Sequence, residues 1–126
     1  MDIVASQRSN VMSNLENIAN TIKCVFELAS AEVSQGDSYP AWKMNSNSRL
    51  QQITVDTYKK LFNKEPEVIG IHAGLECGLF SEKMPGLDCV SYGPDIFDIH
   101  TPQERLSISS TKRIYEYTVE VLKRLK

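Results

Sequence analysis

The feature that most constrains this chain is the alternation of helix-like and strand-like segments along its length. Several long stretches place apolar residues three or four positions apart, which is the spacing of one helix face. Short candidate strands lie between them, at Ile3 to Ser9, Glu32 to Ser34, Val68 to Ile71 and Leu87 to Tyr92. Strands that alternate with helices predict an α/β fold, with a parallel or mixed sheet covered by helices.

Helix signals mark the ends of the periodic stretches. The first helix is predicted to begin near Ser13, which has capping-box spacing to Glu16, and to run to about Ala31. The second is predicted to end near Asn63, ahead of Pro66. A short third helix and a final helix are predicted at Leu75 to Lys83 and around Ile114, Tyr117, Val121 and Leu125.

A change in composition divides the chain into two parts. The stretch from Gly36 to Ser48 is rich in Gly, Ser, Pro and Asn, which is typical of a connection between structural units. Residues 1–35 are therefore predicted to form a strand–helix–strand piece. Residues 36–126 are predicted to belong to a second domain.

Composition excludes several classes of partner. The chain has 14 Lys and Arg against 16 Asp and Glu, a net charge of −2, and so lacks the basic surplus of a nucleic-acid-binding protein. No apolar run approaches the roughly 20 residues that span a bilayer, so we expect no membrane partner. The three cysteines have no CxxC spacing, which argues against a disulfide framework and favours a reducing cytoplasm.

The turn from His72 to Glu76 is a candidate binding site. It joins an apolar strand to a helix through Gly74, and a helix N-terminus with a glycine beside it favours a bound anion such as a substrate carboxylate. The alternative is that Gly74 only makes the turn and that Glu76 complements the helix dipole.

His100 is a candidate metal ligand. The residues Thr101, Pro102 and Glu104 that follow it predict a capped helix start, which would hold the imidazole on a fixed backbone. Such a histidine suits zinc when its second ring nitrogen is oriented by a neighbouring group, and Asp95 and Asp98 are nearby candidates. The alternative is a surface histidine that only forms hydrogen bonds.

Two further side chains allow more than one interpretation. Arg8 is either a solvated charge or a clamp for a carboxylate, and residue chemistry does not choose between them. Cys77 lies near His72 and so raises the hypothesis of a thiol hydrolase. A small buried hydrophobic residue is the better interpretation, because a catalytic thiol needs a positioned base.

Several motifs together resemble one known family. They are Ile71 to Phe80 (IHAGLECGLF), Pro85 to Asp88, Ser91 to Pro94, His100 to Arg105 and, more weakly, Tyr39 to Lys43 and Arg8-Ser9. These runs resemble the C-terminal part of the aminoacyl-histidine dipeptidases, which are peptidase D type enzymes of the zinc aminopeptidase and carboxypeptidase G superfamily. The resemblance extends over nearly the whole chain.

The resemblance implies a fold, a cofactor and a site. It implies that residues 1–35 are the end of an α+β lid and dimerisation domain and that residues 36–126 are the C-terminal part of a catalytic domain with two zinc ions, or other divalent metals in their place. His100 matches a zinc ligand of the family. Arg8 and Gly74 match residues that bind the carboxylate end of a dipeptide substrate. The intact enzyme would be a homodimer.

The chain departs from the family in one large respect. It has only two histidines and no His-x-Asp triplet, and the glutamate pair with the general base is not found. We therefore expect a C-terminal fragment, without a catalytic residue of its own, of a metallopeptidase that hydrolyses Xaa-His dipeptides. It would be inactive without the missing N-terminal half. The alternative is a stand-alone, non-catalytic ligand-binding or interaction domain with a peptidase-like fold.

Overall fold

The computed structural model describes residues 1–36, 38–71 and 76–126. They form two compact units: the first unit comprises Met1–Ser46 and Ile69–Leu87, and the second unit comprises Asn47–Val68 and Asp88–Lys126. The elements, in chain order, are α1 (Met12–Leu28), α2 (Arg49–Phe62), α3 (Glu76–Lys83), β1 (Ile96–Phe97), β2 (Arg105–Leu106) and α4 (Ile108–Arg124). In the described part of the chain, no helix is both long enough and apolar enough to cross a membrane.

Helix α1 confirms the first predicted helix but begins differently. Its N-cap is Val11 in extended conformation, without a side-chain cap, and the hydroxyl of Ser9 accepts a hydrogen bond from the Val11 N–H at 3.1 Å. The predicted capping box is wrong, because Ser13 already lies inside the first turn of the helix. The helix ends at Leu28, and Ser30 just beyond it has a left-handed backbone with φ 62°.

Helix α2 begins and ends as its residues predict. The Ser48 hydroxyl caps it by accepting a hydrogen bond from the Gln51 N–H at 2.8 Å. Asn63 ends it in the left-handed conformation, which a short polar side chain tolerates well, and confirms the predicted stop. Lys59 and Lys60 in the last turn complement the negative end of the helix dipole.

The core of the second unit lies between α2 and α4. Tyr117 and Val121 of α4 are buried, as are Thr54 and Thr57 of α2. The Tyr117 hydroxyl donates a hydrogen bond of 2.8 Å to the carbonyl oxygen of Thr54, so the two helices are joined by a polar contact inside an apolar interface. The predicted apolar face of the final helix is confirmed at Tyr117 and Val121, whereas Leu125 is exposed.

The sheet differs from the predicted one. In the described residues it has two strands, which pair antiparallel with Ile96 opposite Leu106 and Phe97 opposite Arg105. None of the four candidate strands (3–9, 32–34, 68–71 and 87–92) is paired there, so these strand predictions are wrong for the described chain. A β-branched run becomes a strand only when it pairs with the backbone of another strand, and in the described part none of these runs does so.

The predicted helix start after His100 is also wrong. Residues 98–103 form turns between β1 and β2, and the helix begins only at Ile108. Ser107 is the N-cap, and its hydroxyl accepts a hydrogen bond from the Ser110 N–H at 3.3 Å. The chain therefore uses the Thr101 to Glu104 segment as a hairpin loop and places the cap six residues after Thr101.

Helix α3 packs closely against another part of the first unit. A Cβ atom built on the buried Gly78 would lie 2.6 Å from the backbone carbonyl oxygen of Pro40. This distance is below normal van der Waals contact, and a backbone carbonyl cannot rotate away as a side-chain end can. Glycine is therefore required at this position by the close approach of two backbones.

Gly78→Ala is expected to destabilise the first unit by about 1 to 2 kcal/mol, because the overpacking cost exceeds the helix-propensity gain of about 1 kcal/mol. Trp42 is the sole tryptophan and lies in the first unit, so its fluorescence during urea unfolding reports on this unit. Gly36→Ala is the matched control, because nothing lies within 4 Å of its added Cβ. Equal urea midpoints for Gly78→Ala and the parent chain would contradict the close packing.

Candidate functional site

His100 lies in the loop that joins β1 to β2. Its side chain is exposed, and its backbone is in the left-handed region with φ 65°. Its N–H donates a hydrogen bond of 2.8 Å to Oε2 of Glu104. Within the described ranges, the structure shows no hydrogen bond to the ring of His100.

The loop around His100 is held by its own hydrogen bonds. Thr101 donates twice to the carbonyl oxygen of Asp98, from Oγ1 at 2.7 Å and from N–H at 3.2 Å. The Glu104 N–H donates to the Thr101 carbonyl oxygen at 3.1 Å. Asp98 itself has φ 53°, so two non-glycine residues of one short loop are left-handed. These bonds make the loop a defined structure despite its exposure.

The two aspartates that the sequence suggested as partners of the imidazole contact arginines instead. Asp98 forms an ion pair with Arg105 of β2. Asp95 forms one with Arg113 of α4, at 3.3 Å. Exposed ion pairs of this kind contribute little to stability. Their effect here is to link the ends of the loop to β2 and α4.

The described residues offer one metal ligand rather than a complete metal site. Among them, no group of three His, Cys, Asp and Glu side chains is close enough to hold an ion. A zinc ion in a protein is held by four protein ligands, or by three protein ligands and a water molecule. The exposed imidazole of His100 could supply one of them, so its role as a single ligand stays a prediction.

Of the two predicted substrate-binding residues, Arg8 is the one that the structure describes. Arg8 is exposed, three residues before the N-cap of α1, and forms no ion pair with any residue of the described chain. Its guanidinium is therefore available to a carboxylate. Gly74 and His72 lie outside the described residues. The roles of Arg8, Gly74 and His100 stay predictions.

The cysteines form no disulfide in the described part of the chain. Cys24 is exposed on α1, and Cys77 is half-buried in the first turn of α3. Its histidine neighbour in sequence, His72, lies outside the described residues.

An open cavity of about 370 Å³ lies in the second unit. Its walls come from α2, the 90–92 segment and the end of α4: Leu50, Thr54, Val90, Ser91, Tyr92, Val121, Leu122 and Leu125. None of these side chains is an acid, a base or a histidine. The cavity therefore offers neither ligands for a metal ion nor a cation for a carboxylate, and it is distinct from the candidate ligand His100.

Asp88 is a residue whose importance the sequence did not reveal. Its Oδ2 accepts a hydrogen bond from the Leu50 N–H at 2.9 Å, at the start of α2. Hydrogen bonds from the Ser48 hydroxyl and the Leu50 backbone hold the pKa of Asp88 below its usual value, although burial opposes this shift. Asp88 thus joins the 88–92 segment to the positive end of a helix 38 residues away in sequence.

Asp88→Ala is expected to lower the free energy of unfolding at pH 7 by about 1 kcal/mol, the usual cost of losing a helix cap. Because the folded-state pKa is depressed, this contribution is present above the unfolded-state pKa of about 3.9. It is lost as the pH falls through the folded-state pKa, so the variant and the parent converge in acid.

Urea unfolding followed by circular dichroism at a series of pH values measures this difference. Asp2→Ala is the control, because Asp2 is an exposed aspartate near the N-terminus. A difference between Asp88→Ala and the parent that stays constant from neutral pH into strong acid would show that the charge of Asp88 is not involved.

Comparison with known proteins now identifies the class of the chain. The model of peptidase family M20/M25/M40 matches residues 5–124, and the chain belongs to this family. The chain is 36% identical over 118 residues to the cytosol non-specific dipeptidase of Escherichia coli (strain K12), which covers 94% of this chain and 24% of that protein. The family predicted from the motifs is confirmed.

A solved structure agrees with this assignment. The crystal structure of aminoacylhistidine dipeptidase from Vibrio alginolyticus matches with a TM-score of 0.76 and 34% identity, over 92% of this chain and 24% of that chain. The predicted fold class, mixed helix and sheet from a peptidase domain, is confirmed by this match, although the individual strands are not. The chain spans about a quarter of the length of both relatives.

Proposed function

We propose that this chain is the C-terminal portion of a zinc-dependent dipeptidase that cleaves dipeptides ending in histidine. The family match over residues 5–124 is the observation that carries the proposal. The names of both relatives support dipeptides as substrates, and the name of the aminoacylhistidine dipeptidase alone supports a terminal histidine. A cytoplasmic location is proposed from the cytosolic relative.

His100 would contribute one ligand to a pair of zinc ions. When bound, such a pair polarises the scissile carbonyl and lowers the pKa of a bound water. The exposed imidazole of His100 and its anchored backbone support this role. Other divalent metals with a preference for imidazole would be held by the same ring.

Arg8 and the turn at Gly74 would bind the terminal carboxylate of the dipeptide. A guanidinium binds a carboxylate with two parallel hydrogen bonds, which fixes both the position and the orientation of the substrate. The support for Arg8 is its exposure and the absence of an ion pair with any other described residue. Its role is to orient the substrate, and it takes no part in proton transfer.

The remaining ligands and the general base would come from the preceding half of the catalytic domain. The described residues contain no three-ligand group, so the proposal gives this chain no catalytic residue and no activity by itself. The intact enzyme is proposed to be a homodimer. A second candidate, a non-catalytic interaction domain of peptidase-like fold, agrees equally with this observation.

A chimaera separates the two candidates. In it, this chain replaces the matching segment of the Escherichia coli dipeptidase, and the host without that segment is the control. We expect the chimaera to hydrolyse Xaa-His dipeptides with zinc present and the control to be inactive. A host built from the Vibrio alginolyticus enzyme provides a second test if the first chimaera does not fold. Folded chimaeras in both hosts that cleave no dipeptide would favour the interaction domain.

A further inference from the structure

We propose that Glu104 is a positioning residue that holds the backbone of His100 in the left-handed conformation and so fixes the direction of the imidazole. This inference rests on the proposed function, in which that imidazole is a metal ligand. Glu104 contacts neither metal nor substrate in this proposal. It acts only through the backbone of His100.

The backbone of His100 needs such support. Its φ of 65° lies in a region that residues with a Cβ atom adopt rarely, because the side chain crowds the following carbonyl. Glycine would adopt this conformation without strain, but glycine has no imidazole. A histidine in this place therefore depends on surrounding bonds to keep the conformation populated.

Glu104 supplies the bond that acts directly on this backbone. Its carboxylate Oε2 accepts the His100 N–H at 2.8 Å, and a charged acceptor makes such a bond stronger than a neutral one. The described residues offer that N–H no second partner. The bond spans four residues and closes the loop on the side of the imidazole.

Contacts with residues before and after it hold Glu104 in place. Its N–H donates to the Thr101 carbonyl oxygen at 3.1 Å. The next residue, Arg105, pairs with Phe97 across the sheet, forms the ion pair with Asp98, and places its guanidinium 5.5 Å from the centre of the Phe97 ring. The carboxylate that accepts the His100 N–H therefore belongs to the residue just before β2, and the first residue of β2 is itself held by these contacts.

The direction of a metal ligand depends on this φ. If the φ of His100 became negative, the Cα–Cβ bond would rotate relative to the hairpin and the ring nitrogens would move by several bond lengths. Zinc binds imidazole nitrogen only near 2.0 to 2.1 Å, so a displaced ring no longer serves as a ligand without a rearrangement. Because Glu104 holds the backbone of His100 before zinc binds, no such rearrangement is needed.

Nuclear magnetic resonance on the full chain tests the backbone effect without any metal. The three-bond HN–Hα coupling and the Cα shift of His100 report φ, and the hydrogen exchange of its amide reports the bond to Glu104. We expect Glu104→Ala to shift the coupling toward negative φ and to speed exchange by about tenfold. Glu104→Gln keeps an acceptor oxygen and should restore both.

Glu116→Ala is the matched control, because Glu116 is an exposed glutamate on α4 whose only described contact is with Lys112. We expect it to leave the His100 signals unchanged. Thermal unfolding of all variants separates local from global effects, since a merely structural role of Glu104 would change the unfolding temperature and not the φ of His100 in the folded chain.

Zinc affinity of the chimaera is the second measurement, by competition with a chelator. We expect Glu104→Ala to weaken the binding of zinc about 10- to 100-fold and Glu104→Gln to be close to the parent. Unchanged coupling and exchange in Glu104→Ala would overturn the positioning role, even in an active chimaera. A His100→Ala chimaera that binds zinc as tightly as the parent chimaera would overturn the proposed role of His100 as a metal ligand, whatever the resonance data show.

Discussion

Tyr117→Ala is expected to lower the free energy of unfolding of the second unit by about 3 to 5 kcal/mol, the range for deleting a buried aromatic ring. Only 4% of Tyr117 is exposed, and it is the largest buried side chain where α4 meets α2. Small domains have about 5 to 15 kcal/mol of stability in total, so this loss would leave the unit partly unfolded.

The contacts of Tyr117 explain the size of this effect. The centroid of its ring lies 4.9 Å from that of Tyr92, 5.8 Å from Tyr58 and 6.3 Å from Phe62. These are normal distances for aromatic pairs and place the ring at the centre of an aromatic cluster. Burial raises the pKa of Tyr117, so its hydroxyl stays protonated and continues to donate to Thr54 at neutral pH.

Far-ultraviolet circular dichroism during urea unfolding measures the loss of stability of the second unit. Trp42 fluorescence reports separately on the first unit. Tyr115→Ala is the matched control on the same helix, because 71% of that residue is exposed. Tyr117→Phe retains the ring and should lose only about 1 kcal/mol, the value of the hydrogen bond. If Tyr117→Ala unfolds at the same urea concentration as Tyr115→Ala, the ring does not organise this core.

His100→Ala is expected to reduce the dipeptidase activity of the chimaera at least about 100-fold. Metal ions contribute several kcal/mol of transition-state stabilisation, and each 1.4 kcal/mol is a factor of ten in rate. Losing one ligand of a zinc pair removes much of that contribution. The fall should appear mainly in kcat, because the proposal assigns substrate binding to Arg8 and Gly74.

Gln103→Ala is the control for this second prediction, because Gln103 is an exposed residue of the same loop and carries no proposed role. It should retain nearly full activity. An active His100→Ala chimaera, with kcat within a few-fold of the parent, would remove His100 from the metal site while leaving the family assignment intact.

Helices could be predicted from this sequence because their evidence is local. The periodic apolar residues around Tyr117 and Val121 predict α4, and Asn63 with Pro66 beyond it predicts the end of α2. Hydrogen bonds in a helix join residues four apart, so a short window of sequence contains most of what determines it. The N-cap of α1 at Val11 could not be predicted, because no side chain caps this helix.

Strands could not be predicted in the same way. Val68 to Ile71 has the composition of a buried strand, but a strand needs a partner, and no window of sequence shows whether one is present. Conversely, β1 and β2 are strands that the sequence did not predict. Each has two residues and is too short to show an alternation of apolar and polar residues. Their pairing is set by the hairpin loop between them.

The sequence motif of the site could be predicted, but the geometry of its loop could not. The segment from His100 to Arg105 identified the family, yet its local residues predicted a helix start where the structure has a left-handed hairpin loop. The bond from Glu104 to the His100 backbone has no pattern in sequence that distinguishes it from a capping box. The contact of Asp88 with Leu50 spans 38 residues and leaves no local signal at all.

The zinc content of the chimaera, with and without the imidazole of His100, tests the central claim most directly. After dialysis against a weak chelator, we predict two zinc ions per chain for the parent chimaera and fewer for His100→Ala, with the Gln103→Ala control equal to the parent. Two tightly held zinc ions in His100→Ala, at the parent affinity, would contradict the assignment of this residue as a metal ligand.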